Sequence, residues 1–215
     1  APTWARTFSS RPPTAATATL RPLDRYVRHL PGAPGSACAA LRATQRWPRW
    51  VWANTELARF AEWLHGFNAR RPPGERVGIH GIDLYAVWES IAAVEAAYRA
   101  LRPAAAAWVQ RQYRGLSAFG GDHRAYTEYA RRTGTRPQTA LRAVVHDLAR
   151  RYRQAAPAAR EHWFDALQHA RVVAAGERYL RLLPGPPAWS GNTRAAHFEA
   201  AVARLLRHYG GGSRA

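Results

Sequence analysis

The chain has 215 residues, 47% of them hydrophobic, with 9 Trp and a formal net charge of +18. That length holds one domain with a real core and does not require two, and the apolar share excludes a chain disordered throughout. No apolar run approaches the roughly 18 residues that a membrane span needs, and the single Cys38 excludes an intrachain disulfide and agrees with a reducing, cytoplasmic setting.

Residues 1–21 are rich in Ala, Thr, Ser, Pro and Arg, have no acidic member, and read as a disordered leader; 22–215 read as the domain. A short helix over 23–30 is stopped by Pro31-Gly32, and Ser36 is a fair cap for the alanine-rich helix behind it, where Cys38 is a small helix-face residue. Trp50, Leu57, Phe60, Leu64 and Phe67 recur at helical spacing and end before Pro72-Pro73-Gly74. Between two turn signals, Val77, Ile79 and Ile82 predict one strand over Arg76–Asp83. Val87, Ile91, Val94, Tyr98 and Leu101 then step along one helix face. Further helices are expected over 103–113, 126–132, 137–155, 158–183 and 193–209. The fold class is therefore mainly α with one short strand. A lone strand leaves N–H and C=O groups unpaired on both edges, so its neighbours are expected to lie outside this sequence.

The basic excess points first to nucleic acid. All 32 basic residues are arginine, however, and they are spread along the chain, with Arg150, Arg151 and Arg153 the densest group. A nucleic-acid-binding arm concentrates its cations or interleaves them with stacking aromatics. Nucleic acid is accordingly not the expected partner, and a polyanion-binding module is kept as a minor alternative.

Three constellations carry possible chemistry. His80, Asp83 and Tyr85 follow the expected strand, where open α/β proteins place their sites; Asp83 either binds a polar group or caps the next helix. Asn54 and Glu56 flank the tryptophans Trp47, Trp50 and Trp52, as a pocket for a partly apolar ligand or as a packed helix with Glu56 in solvent. Arg194 and His197, three apart near Asn192, share one face of the last helix: an oxyanion or carboxylate holder beside a proton carrier, or a solvated basic face. No H-x-x-x-H, H-E-x-x-H, G-x-S-x-G or phosphate loop occurs, so no metal and no cofactor is expected.

These residues also fall into spaced motifs. W-x-W-x-N-T-E over 50–56, W-L-x-x-x-N over 63–68 and V-G-x-x-G-I-D-L-Y over 77–85 stand in order, after LDRYVRHL at 23–30. Gln168-His169-Ala170-Arg171-Val172-Val173 and Trp189 with Asn192-Thr193-Arg194-Ala195-Ala196-His197 follow. From about Leu23 onward this pattern resembles the erythromycin esterase family, and the chain looks like the helical central part of that α/β fold. The resemblance implies a metal-independent hydrolase that opens a macrolide-like ester with water activated by a histidine. It implies Arg194 and His197 as catalytic residues, with Asn54, Glu56 and Asp83 near the substrate. Nothing here resembles the family's N-terminal G-E-x-x-H-G-x-x-E segment or its final A-H-N-x-H, and Ala195 stands where the family has aspartate. The expectation is therefore a partial domain without the base histidine, inactive on its own, with a non-enzymatic binding remnant as the alternative.

Overall fold

The computed structural model describes residues 20–43 and 53–210. Most of the 1–21 leader and the three residues Trp47, Trp50 and Trp52 lie outside that range. Helix α1 (Arg21–Val27), with Pro22 in its first turn, packs against α2 (Ala37–Ala43) and α3 (Thr55–Ala69). Ser36 Oγ accepts from Ala39 N at 3.1 Å, and Asn54 Oδ1 accepts from Leu57 N at 2.8 Å, so both helices start on the side-chain caps their sequences offer. Leu23, Val27, Ala37, Ala40, Ala61 and Leu64 form the shared core of this small three-helix unit, with Cys38 packed at its edge.

The larger unit is built on α4 (Val87–Leu101), α5 (Ala106–Ser117), α6 (His123–Thr133), α7 (Gln138–Gln154) and α8 (Pro157–Leu182). Helix α8 is its axis, packed against α4, α7 and α9 (Pro187–Tyr209). The expected stripe on α4 is buried at Val87, Ile91, Val94 and Tyr98, whereas Leu101 is exposed. Helix α6 starts at Asp122, whose Oδ1 accepts from Ala125 N at 2.9 Å, and ends at Gly134, whose φ of 65° the missing Cβ permits. Helix α9 begins six residues earlier than its periodicity suggested. Pro187 fits the first turn, where its missing N–H costs nothing, so Trp189 to Asn192 are helical. In the core Glu177, fully buried, accepts from Tyr126 Oη at 2.8 Å and from Arg181 Nε at 3.0 Å.

The fold is mainly helical, as expected, but the strand over Arg76–Asp83 is not formed, and no strand occurs among the described residues. The segment leaves the short 3-10 turn Pro73–Glu75 with Arg76 extended (φ −72°, ψ 130°) and runs irregularly to α4. Side chains take three of its backbone groups in place of a neighbouring strand. The fully buried Asn68 amide donates to Val77 O at 2.8 Å and accepts from Val77 N at 2.9 Å. Asp24 Oδ1 accepts from Ile79 N at 3.0 Å. Nor is the segment an interior element throughout, since Val77 remains 47% exposed.

Asn68 also donates to Val27 O at 2.7 Å, so one amide ties α1, α3 and this segment together. Asn68→Ala leaves three backbone groups without that partner and is expected to cost about 2–4 kcal/mol of stability, read as a lowered urea midpoint with little change in slope.

Candidate active site

The segment after Asn68 carries the site. A cavity of about 390 Å³ opens between α1, residues 79–86, α4, α8 and α9. Asp83 and Arg194, 111 residues apart in sequence, meet on its wall: Arg194 Nε donates to Asp83 Oδ1 at 3.2 Å and Nη2 donates to Oδ2 at 2.8 Å. This fork-to-fork pairing fixes the guanidinium plane and raises the affinity of Arg194 for its proton. The cation lies 4.8 Å from the ring centre of Tyr85 and 5.0 Å from that of Phe198, faces that favour a positive charge. Tyr85 is itself held by a 2.9 Å hydroxyl–hydroxyl hydrogen bond to Tyr179. Asp83 does not cap α4, whose N-cap is Ala86 without a side-chain bond; it accepts instead from Leu84 N at 2.7 Å.

Two glycines let this loop sit where it does. A Cβ on Gly78 would lie 2.5 Å from Asp24 Oδ1 and 2.8 Å from His80 Nε2, so the V-G-x-x-G glycine permits the close approach of the two side chains. A Cβ on Gly176 of α8 would lie 2.6 Å from Leu84 O and would overlap Val87, so α8 carries no side chain where the Asp83 loop crosses it.

Three histidines stand in or beside the region, and burial disfavours the charged form of each. His80 lines the cavity with Nε2 3.8 Å from Asp24 Oδ1, its ring stacked on Tyr209 at 4.8 Å. Burial lowers its pKa, outweighing the pull of Asp24. His169 also lines the cavity; its Nδ1 is 3.1 Å from Ser90 Oγ, and burial followed by the nearby Arg21 cation pushes its pKa down to about 4. His197 is brought down to about 4 by burial and then by Arg204, with Asp83 opposing.

Of the residues singled out from sequence, the fold joins Asp83 and Arg194. His197 lies one helical turn beyond Arg194 but lines a neighbouring groove with Arg204. Asn54 caps α3, Glu56 is exposed in the first turn of that helix, and neither borders the cavity. Sequence reasoning missed Asp24, Ser90 and His169. Asp24 had a readable signal, a carboxylate beside Leu23 and three residues before Val27 on an apolar helix face. It is 4% exposed, receives Arg28 at 3.3 Å and faces the cavity. Among the described residues no group of three or more His, Cys, Asp or Glu is placed to hold a metal ion.

The profile of the erythromycin esterase family matches residues 15–215, and the chain belongs to that family. At the level of the family it is an esterase-like hydrolase, with a small-molecule ester as the class of substrate. No solved structure matches the chain. No helix among the described residues is long and apolar enough to cross a membrane.

The neutral histidines set a pH dependence of stability. With native pKa values of about 4 for His169 and His197, below the ordinary 6.5, the unfolded chain takes up protons first as pH falls. Their contribution is complete above pH 6.5 and is lost progressively between 6.5 and 4. Unfolding free energy measured in urea is expected to fall by about 2 kcal/mol per histidine from pH 7 to pH 5. His169→Asn and His197→Asn should each flatten that slope.

Proposed function

We propose that this chain hydrolyses, or holds for hydrolysis, a bulky ester of the macrolide lactone kind, with the Asp83–Arg194 pair as its anchor. The observation that carries this reading is that pairing, made across the chain on the wall of a cavity. Asp83 takes two donors of the guanidinium and leaves the rest to polarise an ester carbonyl and to stabilise the oxyanion that water attack creates. A cavity of about 390 Å³ falls toward the lower end of ligand sites, enough for the acyl end of a larger molecule.

Water attack needs a base. Among the histidines expected from sequence, His197 is set apart from the cavity by the turn of α9, and we assign it the support of Asp83 and Arg194 rather than contact with substrate. His80 is the better-placed candidate: it lines the cavity wall beside Asp24, whose carboxylate would stabilise the imidazolium formed when the ring takes a proton. His169 is tied to Ser90 at the cavity floor. Asn54 and Glu56, placed away from the cavity, enter the proposal only if a large substrate extends along α3.

Ring opening of erythromycin by the purified chain, followed by mass spectrometry as the gain of one water, tests the reading. Arg194→Ala and His80→Asn are each expected to lower the rate by about a hundredfold or more, and His197→Asn by much less. Equal turnover by all three variants would sink the assignment. Thermal protection by the macrolide without any turnover would instead favour the non-enzymatic binding reading.

A further inference from the structure

Away from that cavity, α7, α8 and α9 enclose a second groove of about 780 Å³, with Arg142, Arg171, Arg178 and Arg204 among its lining residues. A smaller hollow of about 190 Å³ shares Arg171 and Arg204 with it and adds Arg153 and Arg207. Among the described residues no carboxylate lines either one. Several arginines elsewhere have a carboxylate partner: Arg131 with Glu128, Arg151 with Asp147, Arg181 with Glu177, Arg194 with Asp83. None of the six groove arginines has an ion pair among the described residues.

Two of these cations are also drawn in from solvent. Arg171 and Arg204 are half-buried, and Arg204 Nε donates to Gln168 Oε1 at 2.9 Å, which orients its fork. Burial and the mutual repulsion of Arg171, Arg204 and Arg207 weaken proton binding, bringing the pKa of Arg204 to about 10 and lowering that of Arg171. Like charges held together in a half-dry groove cost free energy that an anion would return.

We propose that this groove is a binding site for a small polyphosphorylated molecule, gripped by Arg171 and Arg204 at its base and by Arg142, Arg178 and Arg207 around them. Each phosphate group brings close to two negative charges and three acceptor oxygens, which the planar guanidinium fork matches in pairs. A monocarboxylate would leave most of these cations unmet. The concave, half-buried setting of Arg171 and Arg204 favours a compact ligand over the convex backbone of a duplex.

Tripolyphosphate is the probe, with binding to the purified chain measured by calorimetry and by thermal melts at constant ionic strength. Tripolyphosphate should raise the Tm by several degrees for the parent and for Arg124→Gln, an exposed arginine on α6. Arg171→Gln, Arg204→Gln and the exposed-site variant Arg207→Gln should each weaken binding by about tenfold. Without ligand, Arg207→Gln should melt no lower than the parent, because a repulsion is removed. An equal response from the parent and the Arg171 and Arg207 variants would overturn the proposal, as would a response that sodium chloride reproduces. So would binding of a single-stranded oligonucleotide by a chain that ignores tripolyphosphate.

Discussion

The site depends on how eleven residues between the 3-10 turn and α4 satisfy their backbone without a sheet. In water such a segment would solvate its amides; packed against a helical core it must find other partners. Here two side chains supply partners for three of them, the Asn68 amide from α3 and the Asp24 carboxylate from α1. An amide pairs both ways with one residue, reproducing the donor and acceptor of a neighbouring strand at a single rung. Because Asn68 and Asp24 also bond to α1 itself or to the Arg28 beside it, the small helical unit and the site-bearing loop are one hydrogen-bonded assembly.

Helix positions were legible because their signals are local. Ser36 caps α2 as read, and four of the five stripe residues on α4 are buried, Leu101 being exposed. The misread strand shows what locality cannot supply: Val77, Ile79 and Ile82 carry a strand's composition, but whether a ladder forms depends on partners brought from elsewhere. The same holds for the site. Asp83 and Arg194 could each be named from residue type and spacing, while their pairing is a fact of tertiary packing. Helix capping by Asp83 and a solvated face for Arg194 were reasonable local readings, and the contact between the two side chains displaces both. Asn54 illustrates the reverse, a motif residue whose described hydrogen bond is a helix cap.

Charge is organised more finely than the total of +18 conveys. Some arginines share one carboxylate with a helical neighbour, Arg131 and Arg132 sharing Glu128, and Arg150 and Arg151 sharing Asp147. The exposed Glu128 pairs stabilise little. Arg194 differs because its partner comes from a distant loop and its plane is fixed from two sides. The cations between α7, α8 and α9 differ again, because among the described residues no carboxylate lines their groove.

Gly176 carries a consequence for how a ligand is accommodated. With no side chain between them, the Asp83 loop rests directly on the backbone of α8, the helix around which the larger core is packed. That floor has no slack: any downward shift of the loop would have to displace the main chain of the longest helix. Adjustment to differently shaped guests would fall to the other walls, α9 with Phe198 and Leu205 among them. Tailoring such a vessel toward new molecules would begin with Phe198 and Leu205 and leave the loop and its Arg194 partner untouched.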